Sequence, residues 1–104
     1  MAFAVIVKGE SMEPTLREGD TVVFSPVDEG QESRLRDGVI VFVRFGGDLA
    51  ARRGCTIARL FWTDPVSGAF RLAKDNPRYP EVRGTLSSDE VSRISVGVEM
   101  RRRM

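Results

Sequence analysis

The sequence predicts a mainly β fold in a single domain, and three observations carry that expectation. Ten Gly and five Pro spread over 104 residues cut the chain into short segments, because these residues punctuate regular structure. The segments between them are β-branched and aromatic, Val39-Ile40-Val41-Phe42-Val43-Arg44-Phe45 most clearly, which is the composition of a strand. With 41% hydrophobic and 30% charged residues, the chain has the balance of a globular protein with one core.

Each element follows from its residues. Phe3 to Lys8 is apolar and β-branched and reads as a strand. In Glu10-Ser11-Met12-Glu13-Pro14-Thr15-Leu16, Pro14 suits the first turn of a short helix. Gly19-Asp20 is a turn before a second strand, Thr21 to Phe24; residues 25 to 36 are polar and read as a loop. Asp37-Gly38 turns into the strand Val39–Phe45, and Gly46-Gly47 turns out of it. Cys55 to Trp62 and Ala69 to Ala73 form a hairpin around Pro65–Gly68. Asp75-Asn76-Pro77-Arg78-Tyr79-Pro80 leaves the sheet, since two prolines lack the N–H donor. Ser87–Glu90 is a polar interruption, and Val91 to Met100 is a last strand or pair of strands.

Composition excludes several functions. The longest apolar runs, residues 2–7 and 39–43, fall far short of the roughly 20 residues of a membrane-spanning helix, and no signal peptide is visible. Sixteen Lys+Arg against fifteen Asp+Glu leave a net charge of +1, without the basic excess of a stand-alone nucleic-acid binder. No His is present and Cys55 is the one cysteine. That excludes His-based triads, an intramolecular disulfide and multi-cysteine metal sites. No metal or other cofactor is expected, and a cytoplasmic location is the default. Only Lys8 and Lys74 among the cations are lysines.

Chemistry concentrates at Ser11, placed where a buried strand breaks into the short helix. Such a serine is an ordinary helix N-cap, or it is a nucleophile beside free backbone N–H groups that hold an oxyanion. The surrounding pattern extends further. Val7-Lys8-Gly9-Glu10-Ser11-Met12-Glu13-Pro14-Thr15-Leu16 and Gly19-Asp20-Thr21-Val22-Val23 resemble the signature of the S24 peptidase family, the C-terminal domains of LexA-type and phage-type repressors and of UmuD-type proteins. Asp37–Val43, Asp75–Pro80 with its Asn-Pro-x-Tyr-Pro turn, and Ile94–Met100 resemble three further family segments.

The resemblance implies a bent, partly closed sheet of about seven or more short strands with one short helix, spanning residues 1–104. It implies Ser11 as nucleophile, an oxyanion held by the N–H groups near Ser11 and Met12, and a neutral lysine as general base. The family's lysine stands in a Val-Lys-Arg-Leu-like strand motif; here Thr56-Ile57-Ala58-Arg59-Leu60 puts Ala58 at that position. Alanine accepts no proton, and the Arg59 guanidinium stays protonated. The alanine is either native to an inactive relative or a replacement for lysine. The expectation is a chain without peptidase activity, in which Ala58→Lys creates it, while Lys8 and Lys74 are solvated surface cations. The resemblance further implies a homodimer formed through the C-terminal strand, with Val91, Ile94, Val96 and Val98 as its apolar surface. DNA is then bound only through an N-terminal domain that this chain does not contain, a RecA filament triggers self-cleavage, and no membrane is involved.

Two other classes remain beside this one. A UmuD-like or degenerate domain would be a binding module with a relic site. A signal-peptidase-like membrane enzyme shares the Ser-Met-x-Pro-Thr start, but the missing anchor and the Asn-Pro-x-Tyr turn weigh against it. Among the remaining residues, Cys55 reads as a small buried strand residue, Phe61 and Trp62 as packing groups, and Arg52-Arg53 and Arg101–Arg103 as solvated cations.

Overall fold

The computed structural model describes residues 1–46, 54–85 and 91–102. Seven strands form one antiparallel sheet: β1 (Phe3–Ile6), β2 (Thr21–Pro26), β3 (Ile40–Phe45), β4 (Cys55–Asp64), β5 (Ala69–Ala73), β6 (Val82–Thr85) and β7 (Val91–Arg101). Their order across the sheet is β1-β2-β7-β3-β4-β5-β6. The mainly β expectation is met, with β1 and β6 as the two edges of a sheet that does not close. Among the described residues no helix is long and apolar enough to cross a membrane.

Side-chain alternation divides the interior between two clusters, as the two-residue period of a strand requires. On β3, Val41, Val43 and Phe45 enter one cluster with Leu60 and Ala58 of β4, Phe70 and Leu72 of β5, and Ile94 and Val96 of β7. Ile40 and Phe42 of β3 and Ile57 of β4 pack instead against the second cluster, made by Val7, Met12, Leu16, Val22 and Phe24. Phe24 and Phe42 are anchored there by ring contacts, with centroids 5.5 Å apart.

Four sequence expectations need correction. The short helix expected at Pro14 does not form: residues 11–15 are turns, and the helical element among the described residues is one 3-10 turn at Glu32–Arg34. β6 has no counterpart in the sequence reading; it is four residues long and contains Gly84, too short and too weakly apolar to stand out. Cys55 is exposed rather than buried. Ile94 and Val96 lie in the core, because β7 runs between β2 and β3. They therefore cannot supply an outer apolar surface, and Val98 and Met100 are the exposed apolar residues of that strand. Gly47, Arg52, Arg53, the Ser87–Glu90 interruption and Arg103 lie outside the described residues.

Candidate active site

Residues 8–18 leave the sheet as an excursion between β1 and β2, closed at its neck by two backbone bonds. Val7 N–H donates to the Asp20 carbonyl at 2.8 Å, and Gly19 N–H to the Val7 carbonyl at 2.9 Å. The chain enters through Gly9 at φ +80°, a conformation that a Cβ makes costly. Inside, Glu13 N–H reaches the Glu10 carbonyl and Leu16 N–H the Met12 carbonyl. Met12 and Leu16 are each 1% exposed. These two side chains nail the turn to the second core cluster, and Ser11, just before Met12, stays half-buried.

The turn is held by two consecutive residues, Asp75 and Asn76, of the segment that follows β5. Asn76 N–H donates to the Ser11 carbonyl at 3.0 Å, and its Nδ2 donates to the Glu10 carbonyl at 3.0 Å. Thr15 Oγ1 donates to Asp75 Oδ2, while Asp75 Oδ1 accepts Arg59 Nε at 2.8 Å. Arg59 also donates to the Gly38 carbonyl at 2.8 Å. Burial works to raise the Asp75 carboxyl, but the hydrogen bonds from Arg59 and Thr15 and the Arg59 charge outweigh it and hold the group below its ordinary range.

Lys74 completes the strap, and it is not the solvated cation that the sequence suggests. It is half-buried; its Nζ donates to Thr56 Oγ1 and to the Ile57 carbonyl at 2.6 Å. Burial pushes its ammonium below the ordinary 10.5. Lys8, by contrast, is exposed. Thr56 also lines an open cleft of about 440 Å³ with Phe45, Cys55, Pro80, Glu81 and Val82.

Ala58 is fully buried and belongs with Val41, Leu60 and Leu72, whereas Met12 lies in the other cluster. From β4, Ile57 packs on the Met12 cluster, and Arg59 reaches the turn through Asp75 and Thr15. The N–H groups of Ser11 and Met12 donate to no acceptor among the described residues. The aromatic pair of the hairpin packs as expected: Trp62 meets Phe70 edge-on at 6.2 Å and donates its Nε1–H to the Leu35 carbonyl, while Phe61 lies under the Arg71 guanidinium.

No curated protein matches this chain. A family model described as Peptidase S24-like matches residues 1–97. That span takes in the serine excursion, the strap that holds it and six of the seven strands whole, and with it the chain belongs to the S24-like peptidase family.

Proposed function

We propose that this chain is the self-cleavage and dimerisation domain of a LexA- or phage-type transcriptional repressor, with Ser11 as the nucleophile of a Ser–Lys serine peptidase site. The observation that carries the reading is the fixation of the Ser11 turn. Met12 and Leu16 pin it from below, Asn76 pins the Ser11 and Glu10 carbonyls from outside, and family membership supplies the reaction class. A nucleophile must be held close to its attack geometry for the reaction to gain from proximity. The unengaged N–H groups of Ser11 and Met12 are the oxyanion donors of this reading; such donors act on the charge that develops in the tetrahedral intermediate.

In this reading the bound segment is a stretch of the protein's own chain containing a small-residue bond such as Ala-Gly. Cleavage would part the domain from a DNA-binding unit joined upstream, in the cytoplasm and on a RecA–single-stranded-DNA signal. Position 58 holds no base, so on that position alone the site is inert. The test is a chain joined upstream to a segment with an Ala-Gly bond, followed by intact mass. Cleavage that Ser11→Ala abolishes, in this chain or in Ala58→Lys, supports the reading. An Ala58→Lys protein that folds and stays whole across alkaline pH removes it.

A further inference from the structure

We propose that Lys74 is the general base for Ser11, supplied from the neighbouring strand in place of the lysine that position 58 lacks. The proposal rests on the reading of Ser11 as nucleophile. Its first support is register. β4 and β5 pair Leu60 with Leu72 and Arg59 with Ala73, so one further step sets Lys74 across from Ala58. Side chains at paired positions share a face of the sheet, and Lys74 duly reaches Thr56, which lies two residues from Ala58 on that same face. A lysine at either position starts from the same place on the sheet, and alanine at 58 leaves that place to Lys74.

The second support is the chain path. Lys74 stands two residues before Asn76, whose N–H and Nδ2 hold the Ser11 and Glu10 carbonyls. The base and the nucleophile are therefore tied together by one short strap. The third is the set of partners around Nζ. Thr56 Oγ1 and the Ile57 carbonyl are uncharged acceptors, and among the described residues Lys74 forms no ion pair. The nearby carboxylate of its own strap, Asp75, is taken by Arg59 and Thr15. A neutral amine has two N–H bonds for those two acceptors and keeps its lone pair for a proton. Burial favours that neutral form.

In the reaction Ser11 Oγ adds to the scissile carbonyl carbon, its proton passes to Lys74 Nζ, and the carbonyl electron pair moves to oxygen. The C–N bond then breaks and Lys74 returns the proton to the leaving amine. Water hydrolyses the resulting ester, giving a proton to Nζ and restoring the serine. No further reactant is needed.

Full-length chain treated with an alkyl fluorophosphonate tests this without a peptide. Ser11 Oγ displaces fluoride from phosphorus, and intact mass with peptide mapping reads the adduct. The chain as it stands should be labelled at Ser11. The rate should rise with pH as Lys74 deprotonates among Arg59 and Cys55 of β4, Asp75 of the strap, Glu10 and Glu13 of the serine turn and Glu81 beside the cleft. Lys74→Ala and Lys74→Arg should each slow labelling by about 10²–10⁴-fold, with Lys8→Ala unchanged, and Lys74→Ala combined with Ala58→Lys should recover it. Arginine keeps the charge and the donors for Thr56 and Ile57, so a purely structural Lys74 predicts full reactivity in Lys74→Arg; that result overturns the proposal. An inert parent chain beside a reactive Ala58→Lys protein also overturns it, while leaving Ser11 as the nucleophile. Silence in every variant, Ala58→Lys included, overturns the Ser11 reading itself. Should a variant fail to fold, NMR titration of the Lys74 ammonium in the unaltered chain decides: a midpoint at the ordinary 10.5 rules the base out.

Discussion

The backbone N–H of Asn76 donates to the carbonyl of Ser11 at 3.0 Å, across 65 residues of chain. The same asparagine donates through Nδ2 to Glu10 and accepts Arg78 N–H at its Oδ1, which fixes the side chain in its own turn. The Asn-Pro-x-Tyr segment is therefore a clasp on the serine excursion, and its side-chain part can be removed without touching the backbone bond.

Asn76→Ala should cost about 1–2 kcal/mol, the range for losing a side-chain hydrogen bond and stranding its acceptor. For a domain near 100 residues that lowers Tm by roughly 4–8 °C per kcal/mol. It should also slow fluorophosphonate labelling of Ser11, because the carbonyl of Glu10 is no longer held. Urea unfolding and labelling rates check both. Unchanged labelling in a measurably destabilised protein would separate the clasp from the chemistry.

Asp75 gives the strap an acid dependence. Its carboxyl titrates lower in the folded chain than in the unfolded one, so the unfolded state binds protons first as pH falls. The stabilisation is fully present above the ordinary carboxylate value near 3.8 and is lost as pH drops through the folded value. Asp75→Asn should therefore be less stable than the parent at pH 6, and the gap should narrow below about pH 4. Two urea midpoint curves that stay parallel from pH 6 to pH 3 would contradict the assignment.

Much of this site is legible in the sequence, and the part that is not has a physical cause. The serine, its glycine entry and the proline-rich exit of β5 all show in residue type, because backbone conformation and missing donors are local properties. Position 58 is legible as an absence. Lys74 is not legible, and the reason is one residue. Counting back from the turn, where Asp64 pairs with Ala69, an unbroken hairpin would set Lys74 opposite Arg59. The irregularity between Trp62 and Asp64 inserts Thr63 and moves Lys74 opposite Ala58, onto the other face. Likewise Ile94 and Val96 have the pattern of an outer strand, but β7 lies between β2 and β3 by non-local pairing, which no local pattern reveals.

Self-association, if it uses the end of β7, must use the residues that the core leaves out. Val98 is 57% and Met100 41% exposed, beside an open groove lined by Leu16, Val22 and Ile40. Val98→Glu should shift sedimentation toward monomer at hundreds of micromolar while leaving the urea midpoint within about 0.5 kcal/mol, as expected of a surface change. A parent chain that is strictly monomeric at that concentration would count against the dimer.

Lys74→Met tests the burial of the amine through stability alone. Methionine keeps much of the length and loses both donors, so the Ile57 carbonyl and Thr56 hydroxyl lose their partner at every pH. The pH-dependent part belongs to the parent. Unfolded, Lys74 holds its proton up to about its ordinary 10.5; folded, it releases the proton earlier. Between those two values the unfolded state binds more protons, so parent stability must rise with pH in that window. Below the folded value both states are protonated and the difference between parent and variant is flat. The parent should therefore gain on Lys74→Met as pH climbs through the folded value toward 10.5, although ordinary alkaline titration of the other groups affects both proteins equally. Matched urea midpoints at pH 6, 8, 9 and 10 give the comparison. A constant gap across that range would mean that folding leaves the Lys74 proton affinity unchanged, and a buried neutral amine would then have no support.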